Sequence, residues 1–152
     1  MTNVFSIKMG DLKVASEPAV LTSAGIGSCL AIILYDPVLK TGALAHAMLP
    51  HADADHANAV RYVDCAIDIM LTELVRSGTQ RGHIVAKLVG GAHMFSLYGD
   101  EHSSIGAKNI AEAKRKLSEE RIPIASEETG GNVGRNLEFD LTTGVCSVET
   151  KM

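Results

Sequence analysis

Residues 29–35 read Cys-Leu-Ala-Ile-Ile-Leu-Tyr, and residues 42–49 read Gly-Ala-Leu-Ala-His-Ala-Met-Leu. Nearly every position in both runs is apolar, a pattern typical of sheet strands that are covered on both faces. Asp36-Pro37 opens the connection between the runs, and Pro50 follows the second run, where a central strand would end. The two runs therefore predict a hairpin of central strands around which the rest of the fold is arranged.

Shorter apolar segments on both sides of this hairpin predict further strands and two helices. The remaining strands are expected at residues 20–23, 84–89, 122–125, 137–141 and 145–148, the last two as a terminal hairpin. Apolar residues recur at helical spacing over residues 63–74 and again over residues 107–117. About seven strands and two long helices predict an α/β (α+β) fold. Its mixed or antiparallel sheets would form a layered sandwich with both helices packed on one side.

The composition is that of an ordinary globular chain, and it argues against several classes of function. The 152 residues, of which 46% are hydrophobic and 21% charged, suit one domain, which we expect to span residues 1–152. A net charge of −4, 4% aromatic residues and no tryptophan argue against a nucleic-acid-binding protein. The longest apolar run, residues 29–35, is far shorter than the ~20 residues of a membrane helix, so we expect no membrane insertion.

The cysteines and the N-terminal residues predict a cytoplasmic protein. Cys29, Cys65 and Cys146 are odd in number and form no CxxC pair, so the pattern predicts neither a disulfide framework nor a zinc site. Lys8 and Asp11 stand where a secretory signal would be apolar. We therefore expect a reducing environment.

Cys29 follows Gly25-Ile26-Gly27-Ser28, a turn rich in small residues. Glycine permits close approaches that a Cβ atom would block, so such a turn can leave several backbone N–H groups pointing at one place. Those donors would stabilise the oxygen of a tetrahedral intermediate, which makes Gly27 and Ser28 candidates for an oxyanion site beside a nucleophilic thiol. The alternative is that Cys29 is a small buried residue at the start of a strand.

His46 lies within the otherwise apolar run of residues 42–49, where a buried imidazole needs a partner to offset its lost hydration. Cys29 and His46 are equally far from a turn centred between Pro37 and Val38, so a hairpin with that turn would place them directly opposite each other. A shift by an even number of residues keeps them on one face, whereas an odd shift separates them. An imidazole near Cys29 could take the thiol proton and form a thiolate–imidazolium pair. The alternative is a core histidine bonded to backbone groups.

Six short motifs follow one another between residues 20 and 144. The first is Gly-Ile-Gly-Ser-Cys at residues 25–29, and the others lie at residues 35–42, 46–50, 90–95, 105–109 and 129–135. In content and in order they resemble the CheD family of chemoreceptor glutamine deamidases. Any one of these motifs would be weak evidence, but six in the family's order indicate membership of that family.

The resemblance implies a cysteine hydrolase with a layered α/β fold that converts glutamines of chemotaxis receptors to glutamate and releases ammonia. It places the nucleophile at Cys29 and the base at His46. The family's third residue, usually a threonine, stands six positions before the cysteine, and this position is Ser23 here. The resemblance also implies receptor cytoplasmic helices as the substrate and a CheC-type phosphatase as a partner. We expect neither a cofactor nor a metal ion.

Three alternatives assign a different activity or different residues. A thiol methylesterase acting on receptor glutamyl methyl esters would use the same residues but release methanol. A non-catalytic adaptor for a CheC-type phosphatase would keep the fold without using its thiol. A metal-dependent hydrolase could be built on His51, Asp53, Asp55 and His56, but their spacing matches no known metal site and favours a solvated loop.

Overall fold

The computed structural model describes residues 2–52, 58–94 and 104–151, which contain nine strands and two α-helices. The strands are β1 (Asn3–Ser6), β2 (Leu12–Ser16), β3 (Ala19–Ile26), β4 (Leu30–Asp36), β5 (Thr41–Ala47), β6 (Val85–Gly90), β7 (Ile124–Thr129), β8 (Gly134–Asp140) and β9 (Val145–Lys151). The helices are α1 (Val63–Arg76) and α2 (Ile105–Glu119). No helix in these ranges is both long and apolar enough to cross a membrane.

The strands form two sheets, and both helices cover one face of the larger sheet. The larger sheet has the strand order β2-β5-β4-β6-β7, and the smaller sheet has the order β1-β3-β8-β9. One core, which includes Ile32 and Met70, lies between the larger sheet and the helices. A second core, which includes Ile33 and Phe139, lies between the two sheets. The predicted layered sandwich with both helices on one side is confirmed.

β4 and β5 form the predicted antiparallel hairpin, and all of their residues are buried. The ladder closes at the pair Asp36 and Thr41. The Asp36 carboxylate accepts hydrogen bonds from the N–H groups of Val38 (2.9 Å) and Leu39 (3.3 Å), which stabilises a turn of four residues. The centre of the turn therefore lies one residue later than the sequence predicts, and the pairing of the two strands shifts by two residues.

The sequence analysis does not predict β1 and β2, which are short edge strands without a fully buried residue. They are held by their partners, because β1 pairs with β3 in the smaller sheet and β2 pairs with β5 in the larger sheet. The segment between them, residues 7–11, crosses from one sheet to the other beside His46. Gly10 N–H donates to the His46 carbonyl (2.8 Å), and His46 N–H donates to the Asp11 carbonyl (3.1 Å).

β3 is longer than predicted, and the glycine-rich turn after it is correspondingly shorter. The strand continues to Ile26 through an irregular stretch of its pairing with β8, where Gly25 has φ +67°. This φ is one that glycine adopts far more readily than other residues. Only residues 27–29 remain between β3 and β4. β7 begins two residues later than predicted, because Pro123 has no N–H group to contribute to a ladder.

Candidate active site

Cys29 and His46 lie at the same end of the β4–β5 hairpin. His46 is opposite Ala31, which corrects the prediction that it lies directly opposite Cys29. Cys29 immediately precedes β4, and because the shift is even, the alternation of that strand continued back by one residue would place Cys29 on the face of Ala31 and His46, as a diagonal neighbour of the histidine. Such neighbours lie about 7–8 Å apart. The Nε2 atom of His46 has no hydrogen-bond partner among the described residues, so the thiol and the imidazole are not hydrogen-bonded to each other.

Ser23 contacts His46 from the facing sheet. Ser23 lies on β3 and His46 on β5, and their side chains meet in the core between the two sheets, where their exposures are 2% and 1%. The Ser23 hydroxyl oxygen is 2.8 Å from Nδ1 of His46. The structure thus brings together two of the three residues that the sequence analysis proposed as catalytic, and it orients the imidazole ring.

The surroundings of the Ser23 hydroxyl determine which imidazole nitrogen carries the proton. The hydroxyl has a single hydrogen, which it donates to the carbonyl oxygen of Ile7 at 2.7 Å. At Nδ1 it must therefore accept, so the neutral imidazole is protonated at Nδ1 and has its lone pair on Nε2. Of the two ring nitrogens, Nε2, which has no partner among the described residues, is then the basic one.

Burial disfavours the charged forms of both the thiol and the imidazole. Desolvation raises the pKa of the Cys29 thiol, an effect that a contact with its own backbone N–H partly offsets. Desolvation also lowers the pKa of His46. Without substrate the neutral thiol and the neutral imidazole are therefore favoured over the thiolate–imidazolium pair. This arrangement suits a base that takes the proton during the attack itself.

The backbone of the turn that carries Cys29 is held through its carbonyl groups. The Gly27 carbonyl accepts a hydrogen bond from Ala92 N–H (2.9 Å), and the Cys29 carbonyl accepts one from Gly91 N–H (2.8 Å). By contrast, no described carbonyl accepts a hydrogen bond from the N–H group of Ser28 or of Cys29. Among the described residues these two N–H groups therefore have no carbonyl partner, which makes both candidate donors to an oxyanion, and the Cys29 N–H also contacts its own thiol.

Asn109 is a fully buried residue of α2 that contacts the same turn, and the sequence motifs do not predict this role. Its side-chain NH2 group donates to the carbonyls of Ser28 (2.9 Å) and Met48 (3.1 Å). A polar residue on the buried face of a helix is the signal that could have found it. The stripe predicted for α2 consists of Ala107, Ile110, Ala113 and Leu117. The buried face shares only the last two with it and consists of Gly106, Asn109, Glu112, Ala113 and Leu117.

The predicted loop with metal-ligating residue types falls largely on residues 53–57, which lie outside the described residues. His51 is described, and it has partners that the sequence did not reveal, because donor atoms of His51, Asp64 and Glu112 lie within 4.8 Å of one another. The guanidinium of Arg115 donates to both oxygens of Glu112, each at 2.7 Å. This pairing lowers the pKa of Glu112, and Nδ1 of His51 lies 3.2 Å from the same carboxylate.

Cys29 is half-buried, and its surroundings include an exposed apolar side chain. A Cβ atom at Gly27 would lie 3.3 Å from Cγ of Met94, whose side chain is 41% exposed. A separate concavity of about 450 Å³ lies on the outer face of the smaller sheet, where Thr22 and Ser147 line it. Its lining includes Ser23 but not Cys29.

Comparison with known proteins gives matches over most of the chain. The family model described as "CheD chemotactic sensory transduction" matches residues 48–150. The "Probable chemoreceptor glutamine deamidase CheD 2" of Geobacter metallireducens is 41% identical over 152 residues, which cover 97% of this chain and 94% of that protein. The "Chemoreceptor glutamine deamidase CheD" of Halalkalibacterium halodurans is 38% identical over 154 residues, which cover 99% of this chain and 95% of that protein.

Proposed function

The chain belongs to the CheD family, as the sequence motifs indicate, and from this premise we propose that it is a protein-glutamine deamidase. It converts particular glutamine side chains of chemotaxis receptors to glutamate and releases ammonia. The name chemoreceptor glutamine deamidase, which the relatives carry, supports this substrate class. The structural observation that supports the proposal is the Ser23–His46 hydrogen bond, which makes the unpartnered Nε2 the basic atom of His46.

In the first half of the reaction, Cys29 becomes acylated. Nε2 of His46 removes the thiol proton as the sulfur attacks the Cδ carbon of the substrate glutamine. The N–H groups of the turn around Gly27 and Ser28 donate to the oxygen of the tetrahedral intermediate. When the C–N bond breaks, His46 gives its proton to the departing nitrogen, which leaves as ammonia. The acyl group remains on the sulfur as a thioester.

In the second half, water hydrolyses the thioester. His46 removes a proton from the water molecule as its oxygen bonds to the acyl carbon, and it then returns that proton to the departing sulfur. Ser23 accepts the Nδ1–H hydrogen bond in both halves, so it holds the ring in place and stabilises the imidazolium each time it forms. The sum of both halves is glutamine plus water giving glutamate plus ammonia.

We further propose the cytoplasm as the compartment, receptor cytoplasmic helices as the substrate and a CheC-type phosphatase as a partner. The three cysteines are unpaired, which supports a reducing compartment. A glutamine on a helix can reach a nucleophile only at an open surface. The half-buried thiol of Cys29 near the exposed Met94 fits this requirement.

Mass spectrometry of a receptor cytoplasmic domain incubated with the chain tests the proposal. Each deamidated glutamine gains about one dalton. We expect this gain at particular glutamines with the unmodified chain and none with Cys29→Ala. Cys65→Ala is the matched control, because Cys65 is another half-buried free cysteine but lies on α1, and this variant should retain activity.

Three outcomes would contradict the proposal. Deamidation by purified Cys29→Ala would exclude that residue as the nucleophile. Release of methanol from a methylated receptor without any gain at glutamines would identify a thiol methylesterase. Binding of a CheC-type phosphatase in the absence of either reaction would identify an adaptor.

A further inference from the structure

The turn that carries Cys29 has three consecutive carbonyl groups, and each accepts a hydrogen bond from outside the turn. The first and the third, on Gly27 and Cys29, accept from backbone N–H groups at 2.9 and 2.8 Å. The middle one, on Ser28, accepts from the side chain of Asn109 at 2.9 Å. Asn109 is therefore the member of this set of donors that a substitution can remove.

The hydrogen bond that Asn109 donates to the Ser28 carbonyl also fixes the direction in which the Cys29 N–H points. The Ser28 carbonyl and the Cys29 N–H belong to one planar trans peptide unit, so the two groups point in opposite directions. Because Asn109 holds the carbonyl, the Cys29 N–H points away from α2. That N–H donates to no described carbonyl. A peptide whose carbonyl accepts a hydrogen bond is also a stronger donor at its N–H.

We propose that Asn109 is the positioning residue of the oxyanion site. Through the Ser28 carbonyl it aims the Cys29 N–H at the oxygen of the tetrahedral intermediate that forms on the Cys29 sulfur. It does not touch the substrate. This inference rests on the proposed function in one respect, namely that Cys29 is the nucleophile.

The packing of α2 holds Asn109 rigidly at this place. The second hydrogen of its NH2 group is donated to the Met48 carbonyl at 3.1 Å, two residues after His46. One turn earlier in the helix, a Cβ atom at Gly106 would lie only 2.3 Å from the Ala92 carbonyl oxygen. The backbone of α2 thus lies directly on residues 91–92, which also donate hydrogen bonds to the turn that carries Cys29. The Asn109 amide connects that turn to the segment that follows β5, the strand of His46.

Asn109 acts in the described structure as a hydrogen-bond donor only. Asn109 is fully buried, and its Oδ1 has no hydrogen-bond partner among the described residues. A buried polar atom without a partner is unfavourable, but an apolar side chain of similar size would remove the donors to the Ser28 and Met48 carbonyls. The two hydrogen bonds that the amide donates to backbone carbonyls are therefore what the residue contributes.

The test compares two reactions of the same thiol in full-length Asn109→Ala protein. Acylation of Cys29 by p-nitrophenyl acetate passes through a tetrahedral oxyanion, whereas alkylation by iodoacetamide does not. Both rates are measured at the peptide that contains Cys29 by mass spectrometry. We expect acylation to slow by on the order of 10²-fold, as when one oxyanion donor is removed, and alkylation to change by less than about twofold.

Lys108→Ala is the matched control, because Lys108 is an exposed neighbour on the same helix, and both rates should stay unchanged. Equal losses in the two reactions would show a general structural role and overturn the proposal, as would an unchanged acylation rate. Where Asn109→Ala does not fold, Asn109→Ser provides the same comparison with a smaller loss of packing. Neither reaction involves a receptor, so a failure of receptor deamidation would contradict the proposed function and leave this comparison valid.

Discussion

The hydroxyl oxygen of Ser23 lies 2.8 Å from Nδ1 of His46, although the two residues belong to different sheets. The same hydroxyl donates its hydrogen to the Ile7 carbonyl, so it accepts at Nδ1 and directs the lone pair of the imidazole to Nε2. A single contact between the sheets thus determines both the orientation and the tautomer of the proposed base.

Removal of this hydroxyl should slow the reaction more than it affects the fold. Since general acid–base catalysis contributes about 10²–10⁴-fold, we expect Ser23→Ala to lower kcat for ammonia release at least roughly tenfold. Ser23→Thr keeps the hydroxyl and should retain most of the activity. Steady-state assays with a receptor domain measure both variants. An undiminished kcat in folded Ser23→Ala would show that the hydroxyl has no role in orienting the base.

The pH dependence of the reaction should reflect the lowered pKa of His46. Burial favours the neutral imidazole and lowers its pKa. The base therefore stays unprotonated until the pH falls below about 6.5, the ordinary pKa of a histidine side chain. Because only the neutral ring can take the thiol proton, kcat/KM should be constant just above this pH and should decline only below it. A profile of kcat/KM against pH measures the midpoint. A midpoint above the ordinary pKa of histidine would contradict the predicted effect of burial on His46.

Alkylation of Cys29 should reflect its raised thiol pKa. Burial disfavours the thiolate, so the rate of labelling by iodoacetamide should rise with pH with a midpoint above that of N-acetylcysteine. Mass spectrometry of the peptide that contains Cys29 separates this signal from those of the other two cysteines. A midpoint below that of the free compound would instead demonstrate a preformed thiolate–imidazolium pair.

The close approach of α2 to the loop after β6 should depend on the glycine at position 106. A Cβ atom at Gly106 would lie 2.3 Å from the Ala92 carbonyl oxygen, so Gly106→Ala must push the helix away. We expect the free energy of unfolding to fall by about 1–3 kcal/mol in urea titrations. Gly82→Ala is the matched control, because a Cβ atom there meets nothing within 4 Å, and its change should stay within about 0.5 kcal/mol. Equal stabilities of the two variants would refute the predicted clash.

Some features of the fold follow from the sequence because they depend on local patterns. Residues 29–35 and 42–49 are apolar on both faces, which identifies them as central strands wherever they pack. The expectation that Cys29 and His46 share a face rests on the alternation of side chains along paired strands, which an even shift of the turn does not change. The exact pairing does not follow in the same way, because it depends on the hydrogen bonds of the Asp36 side chain within the turn.

The tertiary structure alone decided which groups surround the proposed nucleophile and base. The Ile7 carbonyl, which determines the tautomer of His46, arrives on the crossover between two edge strands too short and too exposed to be recognised from their own pattern. Asn109 reaches the Ser28 carbonyl from a helix 81 positions later in the chain. Such contacts arise when elements distant in the sequence pack against each other. The spacing of apolar residues along the chain predicts that a face is buried, but it does not identify the residues that the face contacts.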